Sequence, residues 1–147
     1  MTQTVTSQSL FNMEASEQWL LIVKGLEALH RNLKLDLAHA FMASDKEHLI
    51  VLNQRLVDSN QLKGKLLKEM DDAVLETTVD KYPWTAVELE VLSIALAELY
   101  CDLEDLKGHI TAGIVKDTSY EVADKQAKNV FMLQVLIDMM SEVSKAV

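Results

Sequence analysis

The sequence predicts an all-α protein: an antiparallel up-down bundle of four long helices, or a long helical hairpin that completes its core by dimerising. Three observations predict it. Apolar residues recur with a period of about 3.6 along nearly the whole chain, and no convincing alternating strand pattern is present. Only four glycines and one proline punctuate the 147 residues. S/T-x-x-E patterns, in which a hydroxyl and a carboxylate cap each other's backbone amides, stand at three of the proposed helix starts. Four helices of roughly 25–30 residues, each ~40 Å long, joined by short links must run antiparallel to their chain neighbours.

Residues 1–15 read as a disordered polar tail and residues 16–147 as a single helical domain, because residues 2–9 are polar apart from Val5. The first helix starts between Asn12 and Ser16 and ends near Met42, with Trp19, Ile22, Leu26, Leu29, Leu33, Leu37 and Ala40 in one line. Ser44 and Glu47 fit a capping box for the second helix, whose line is Leu49, Leu52, Leu56, Leu66, Met70 and Ala73. Its middle is poor, since Ser59, Asn60, Lys63 and Gly64 interrupt the seam. Asp80-Lys81-Tyr82-Pro83-Trp84 breaks the pattern, because proline disfavours helix at the residue before it.

Thr85 and Glu88 make a second capping box. The third helix then carries Leu89, Leu92, Leu96, Leu99, Leu103, Leu106 and Ile110 on consecutive seam positions, ending near Gly113. Thr118 and Glu121 make a third box. The last helix runs to the C-terminus through Ala123, Ala127, Val130, Leu133, Ile137, Met140 and Val143.

Two helices are apolar on more than one face. Opposite the leucine seam of the third helix, Val87, Ile94, Cys101 and Gly108 recur every seventh residue. Around the seam of the last helix lie Phe131, Met132, Val135, Leu136 and Met139. Such breadth has two explanations: burial on two sides, or a surface for an amphipathic partner segment or a second copy. The candidate partner-binding residues are therefore Phe131, Met132, Val135, Leu136 and Met139, with Val87 and Ile94. The expected partner is a protein or a homodimer through the third and fourth helices.

Composition narrows the remaining classes. Fourteen Lys+Arg against twenty-three Asp+Glu give a net charge of −9, which disfavours nucleic acid and anionic lipid. No apolar run approaches the ~20 residues of a membrane span, the single Cys101 cannot form an internal disulfide, and no charged-then-apolar leader opens the chain. A reduced, cytoplasmic protein is expected.

Chemistry-bearing motifs are sparse. Glu27-Ala28-Leu29-His30 has the spacing by which di-iron bundles place two ligands on one face, making Glu27 and His30 the weak metal candidates. Inward carboxylates from other helices are missing, because Glu90, Glu98 and Glu104 fall off the seam. His39 and His48 flank the first turn, and His109 sits near a helix C-terminus, where a structural role is ordinary. Lys63, Lys65 and Lys68 read as a solvated face. Leu106-Lys107-Gly108 resembles the segment after the phosphorylatable histidine of histidine-phosphotransfer bundles, but Glu104 stands where that histidine would be. No phosphate loop or nucleophile elbow is present. Neither catalysis nor a cofactor is expected.

Ala40-Phe-Met-Ala-Ser-Asp-Lys-Glu-His-Leu-Ile-Val-Leu52, the stretch from Trp84 to Ile110, and Gln126 to Leu136 resemble the FlgN-like flagellar chaperones of type III export. The chain departs from that pattern at Lys107-Gly108, where the family shows Asn-Gly. The resemblance implies a chaperone that holds an amphipathic C-terminal segment of a secreted subunit in a groove lined by Phe131, Met132, Val135, Leu136 and Met139. A self-associating structural or regulatory bundle without a client is the alternative, followed by a ferritin-like metal-binding bundle.

Overall fold

The structure is a computed structural model that describes residues 13–114 and 119–146. It is all-helical, with no strand among the described residues. The elements are α1 (Ala15–Met42), α2 (Lys46–Glu69), a short α3 (Asp72–Leu75), a 3₁₀ turn (Val79–Lys81), α4 (Ala86–Thr111) and α5 (Tyr120–Ala146). Of the expected 1–15 tail, residues 1–12 lie outside the described residues, as does the cap at Thr118; Met13 is in the core and Ala15 already opens α1.

α1 forms where the sequence places it, and Trp19, Ile22, Leu26, Leu29, Leu33 and Ala40 are buried along it. Met13, just before the helix, is also in the core. The turn into α2 differs from the expected Ser44–Glu47 box. Ser44 takes a left-handed φ of 55°, and Asp45 is the cap, accepting from the His48 amide at 3.1 Å. A residue that reverses the chain at positive φ cannot also hold the extended backbone of an N-cap, so capping passes to the next polar side chain.

α2 is continuous despite its polar middle. Leu52, Ser59, Leu62 and Leu66 are buried, so the seam passes through the small Ser59. It stops at Glu69 because Met70 is extended, which leaves Ala73 exposed in α3 instead of on the expected apolar line. The basic trio is not wholly solvated either: Lys65 reaches across to Glu88 at 2.9 Å.

The link from α2 to α4 is pinned rather than loose. Trp19 Nε1 donates to the Thr77 carbonyl and Trp84 Nε1 to the Val79 carbonyl, both at 2.8 Å. Trp19, Tyr82 and Trp84 pack as a ring cluster with centroids 4.4–5.6 Å apart, and the Tyr82 hydroxyl donates to Glu69. Gln18, fully buried, donates to the Met13 carbonyl and accepts from the Val79 amide at 3.1 Å. These bonds pair the Thr77 carbonyl and the Val79 amide, and give the Val79 carbonyl, which also accepts from the Tyr82 amide, a second donor.

α4 starts with the expected Thr85–Glu88 capping box, complete in both directions. It runs parallel to α1, as Asn32 bonds Glu98 at 2.7 Å and Arg31 bonds Asp102 at 2.6 Å. The two helices approach closely at Gly25, where a Cβ would stand 3.3 Å from the Ala95 carbonyl oxygen. α5 returns antiparallel along α4: Ser93 meets Asp138, Tyr100 meets Phe131, and Lys107 meets Asp124. α4 is the hub, packed on α1 and α5 and more lightly on α2, while α2 leans chiefly on α1.

Candidate partner-binding face

α5 is amphipathic twice over. Its buried line is Ala123, Ala127, Val130, Leu133 and Ile137, as the sequence predicts. Around the cylinder from that line, Phe131 is 52%, Val135 38% and Met139 58% exposed. A helix packed mainly on one partner can bury only one stripe, so Val135 and Met139 stay largely in water, while Phe131, at the edge of the contact, touches Tyr100 of α4 with one side of its ring and leaves the other exposed.

The predicted binding residues therefore divide. Phe131, Val135 and Met139 form an exposed row at i, i+4 and i+8. Met132 and Leu136 are half-buried and pack against the core. Val143, expected on the seam, is exposed and lines the groove described next. Val87 is exposed but lies across the molecule, in a shallow groove between α2 and α4 with Asp58, Gln61, Leu62 and Lys65. Ile94 is half-buried against the core, and Cys101 is exposed. The heptad of Val87, Ile94, Cys101 and Gly108 thus does not make one continuous apolar seam.

The C-terminal half of α5 borders an apolar groove that periodicity does not reveal. Tyr82, Pro83 and Trp84 from the link and Leu89 from α4 face Leu136, Met139, Met140 and Val143 across about 840 Å³ of open space. The aromatic link and the methionines are more than 50 residues apart in sequence and meet through the hairpin of α4 and α5. Methionine side chains in such a groove adapt to differently shaped apolar anchors.

Charges frame the face. Lys128 and Glu142 sit on its two ends, and Asp138 accepts from the Ser93 hydroxyl at 2.5 Å. At the α4–α5 turn, Lys107 donates to Glu104 and Asp124 at 2.8 and 2.9 Å. These bonds hold the ammonium charged well above the usual lysine range. Lys107, then Lys128, lowers the Asp124 carboxyl. This clasp ties the start of α5 to the end of α4.

A second groove, about 590 Å³ of open space between α1 and α2, is lined by Val23, Leu26, Leu66, Leu67 and Met70, with Glu27 and Lys63 among its walls. Leu67 is 77% exposed beside it. Glu27 and His30 share one helical turn, as their spacing requires. Partial burial and then Lys34 and Lys63 hold the His30 imidazole below the usual histidine value. Among the described residues no group of three or more His, Cys, Asp or Glu side chains comes together as a metal-holding cluster. None of the helices there is long and apolar enough to cross a membrane.

No family model, no curated protein and no solved structure matches this chain.

Proposed function

We propose that the protein is a helical binding protein that holds an amphipathic segment of another protein against the outer face of α5, as an export chaperone holds a secreted subunit. The observation that supports this reading is the exposed row Phe131, Val135 and Met139, continuous with the groove at Tyr82–Trp84. Four long helices in up-down order form the scaffold, and the chemistry is reversible burial of apolar anchors rather than catalysis. The acidic balance of −9, with Asp138 and Glu142 beside the row, favours a segment whose apolar stripe is flanked by lysine or arginine. Reversible handover in the cytoplasm suits a modest interface on one helix face better than a deep, core-like one.

The test uses synthetic C-terminal segments of secreted subunits, titrated while Trp fluorescence is followed, because Trp84 lines the groove. Val135→Asp is expected to abolish binding with helicity unchanged. Loss of helicity in that variant would show the row to be core, and binding that survives Val135→Asp with Met139→Asp would place the segment elsewhere.

A further inference from the structure

The outer face of α5 has a symmetry of its own. Lys128, Phe131, Val135, Met139 and Glu142 follow one another at spacings of three, four, four and three residues. At ~100° per residue all five fall on one side of the helix. Reversed end for end about Val135, the row maps onto itself with its chemistry matched: lysine onto glutamate, phenylalanine onto methionine, valine onto valine. Lys128 is 76% and Glu142 78% exposed at the side chain, so both ends are free to reach outward. Their bonds within α5, to Asp124 and Lys145, are surface pairs of one helix and compete only weakly.

We infer that this face pairs antiparallel with the same face of a second copy, Val135 on the two-fold axis, and that the pairing covers the binding row until a client displaces it. In that arrangement each Lys128 faces the partner's Glu142, and each Phe131 ring meets the partner's Met139, a favourable sulfur–aromatic contact. A parallel pair would instead set lysine against lysine and glutamate against glutamate, so the charges select the antiparallel form. The overlap from residue 128 to 142 spans ~21 Å of a single helix. An interface that small is weak and readily exchanged, which is what a displaceable cover requires. The self-pairing rests on the row itself; its role as a cover rests on the binding function proposed above.

The experiment is sedimentation equilibrium of the full chain from micromolar to millimolar concentration. The wild type is expected to show reversible dimerisation. Lys128→Glu alone and Glu142→Lys alone each place two like-charge pairs in the interface and should weaken it by about tenfold or more. The combined variant restores opposite charges and should recover the wild-type constant. Helicity measured by circular dichroism must be unchanged in all three, as both side chains are exposed. A monomeric wild type, single variants that dimerise normally, or a double variant that does not recover would each overturn the inference.

A second measurement separates this inference from the binding reading. A synthetic leucine–lysine amphipathic helix is added to wild type, the two charge variants and Met139→Glu. Competition between this peptide and the dimer supports the cover. Peptide binding to α5 with no dimer at any concentration overturns the cover and leaves the binding function standing. A dimer that recovers in the double variant, with no peptide or client segment binding, keeps the self-pairing and removes the binding function.

Discussion

Gln18→Leu should destabilise the protein far more than its loss of one polar side chain suggests. Gln18 is completely buried, and its amide bridges two backbone groups from different parts of the chain, the Met13 carbonyl and the Val79 amide. Leucine has nearly the same volume but pairs with neither. Each stranded buried group costs ~1.5 kcal/mol, and the better burial of leucine returns ~1 kcal/mol, leaving a net loss of about 2 kcal/mol. With a urea slope of ~2 kcal/mol per molar, the midpoint should fall by about 1 M. Circular dichroism reports the helices, while Trp19 and Trp84 fluorescence reports the pinned link; coincident curves would show that the link unfolds with the rest. Gln54→Leu, which loses only an exposed bond to Asp58, is the control and should move the midpoint little. If Gln18→Leu matched that control, the bridge would not be what holds the link in place. Exchange of the Val79 amide should quicken in parallel, since its acceptor is gone.

Gly64→Ala should raise stability by about 1 kcal/mol, because a Cβ there meets nothing within 4 Å and alanine favours helix. Gly25→Ala should show no such gain, since its Cβ presses on the Ala95 carbonyl; equal gains in thermal midpoint would refute the close approach of α1 and α4. Burial raises the Glu88 carboxyl, but the Thr85 amide and Lys65 outweigh it and leave it below its ordinary 4.5. A lowered folded value means that the stabilisation is complete above the unfolded value and fades as pH falls through the folded one. Glu88→Gln should therefore be less stable at pH 7 and lose less stability between about pH 5 and pH 3. Parallel acid-unfolding curves for the two proteins would contradict this.

The helices were legible because their information is local. Seven seam residues from Leu89 to Ile110 announce α4 without reference to any other segment, and Thr85 with Glu88 caps it through four consecutive residues. The α1–α2 turn was less legible, because Ser44 and Asp45 both look like caps and only the direction of the chain through the turn decides between them. The apolar surplus on α5 was visible as composition, but which of its residues were surplus was not. Val135 and Met139 are no less apolar than Val130 and Leu133; they differ only in being turned away from α4.

The sequence by itself determined the all-helical class, the position of the break at Pro83 and most of the lines of buried residues, Ala73 and Val143 excepted, because periodicity and capping act over a few neighbouring residues. The tertiary structure decided what those lines leave over. It set α4 at the hub with α5 leaning on it, which exposes Val135 and Met139 while drawing Met132 and Leu136 halfway in. It also brought Tyr82 and Trp84 beside Met139 and Met140, and Gln18 beside Val79. Contacts between residues tens of positions apart depend on how helices cross, and crossing is settled by side-chain packing among all of them at once.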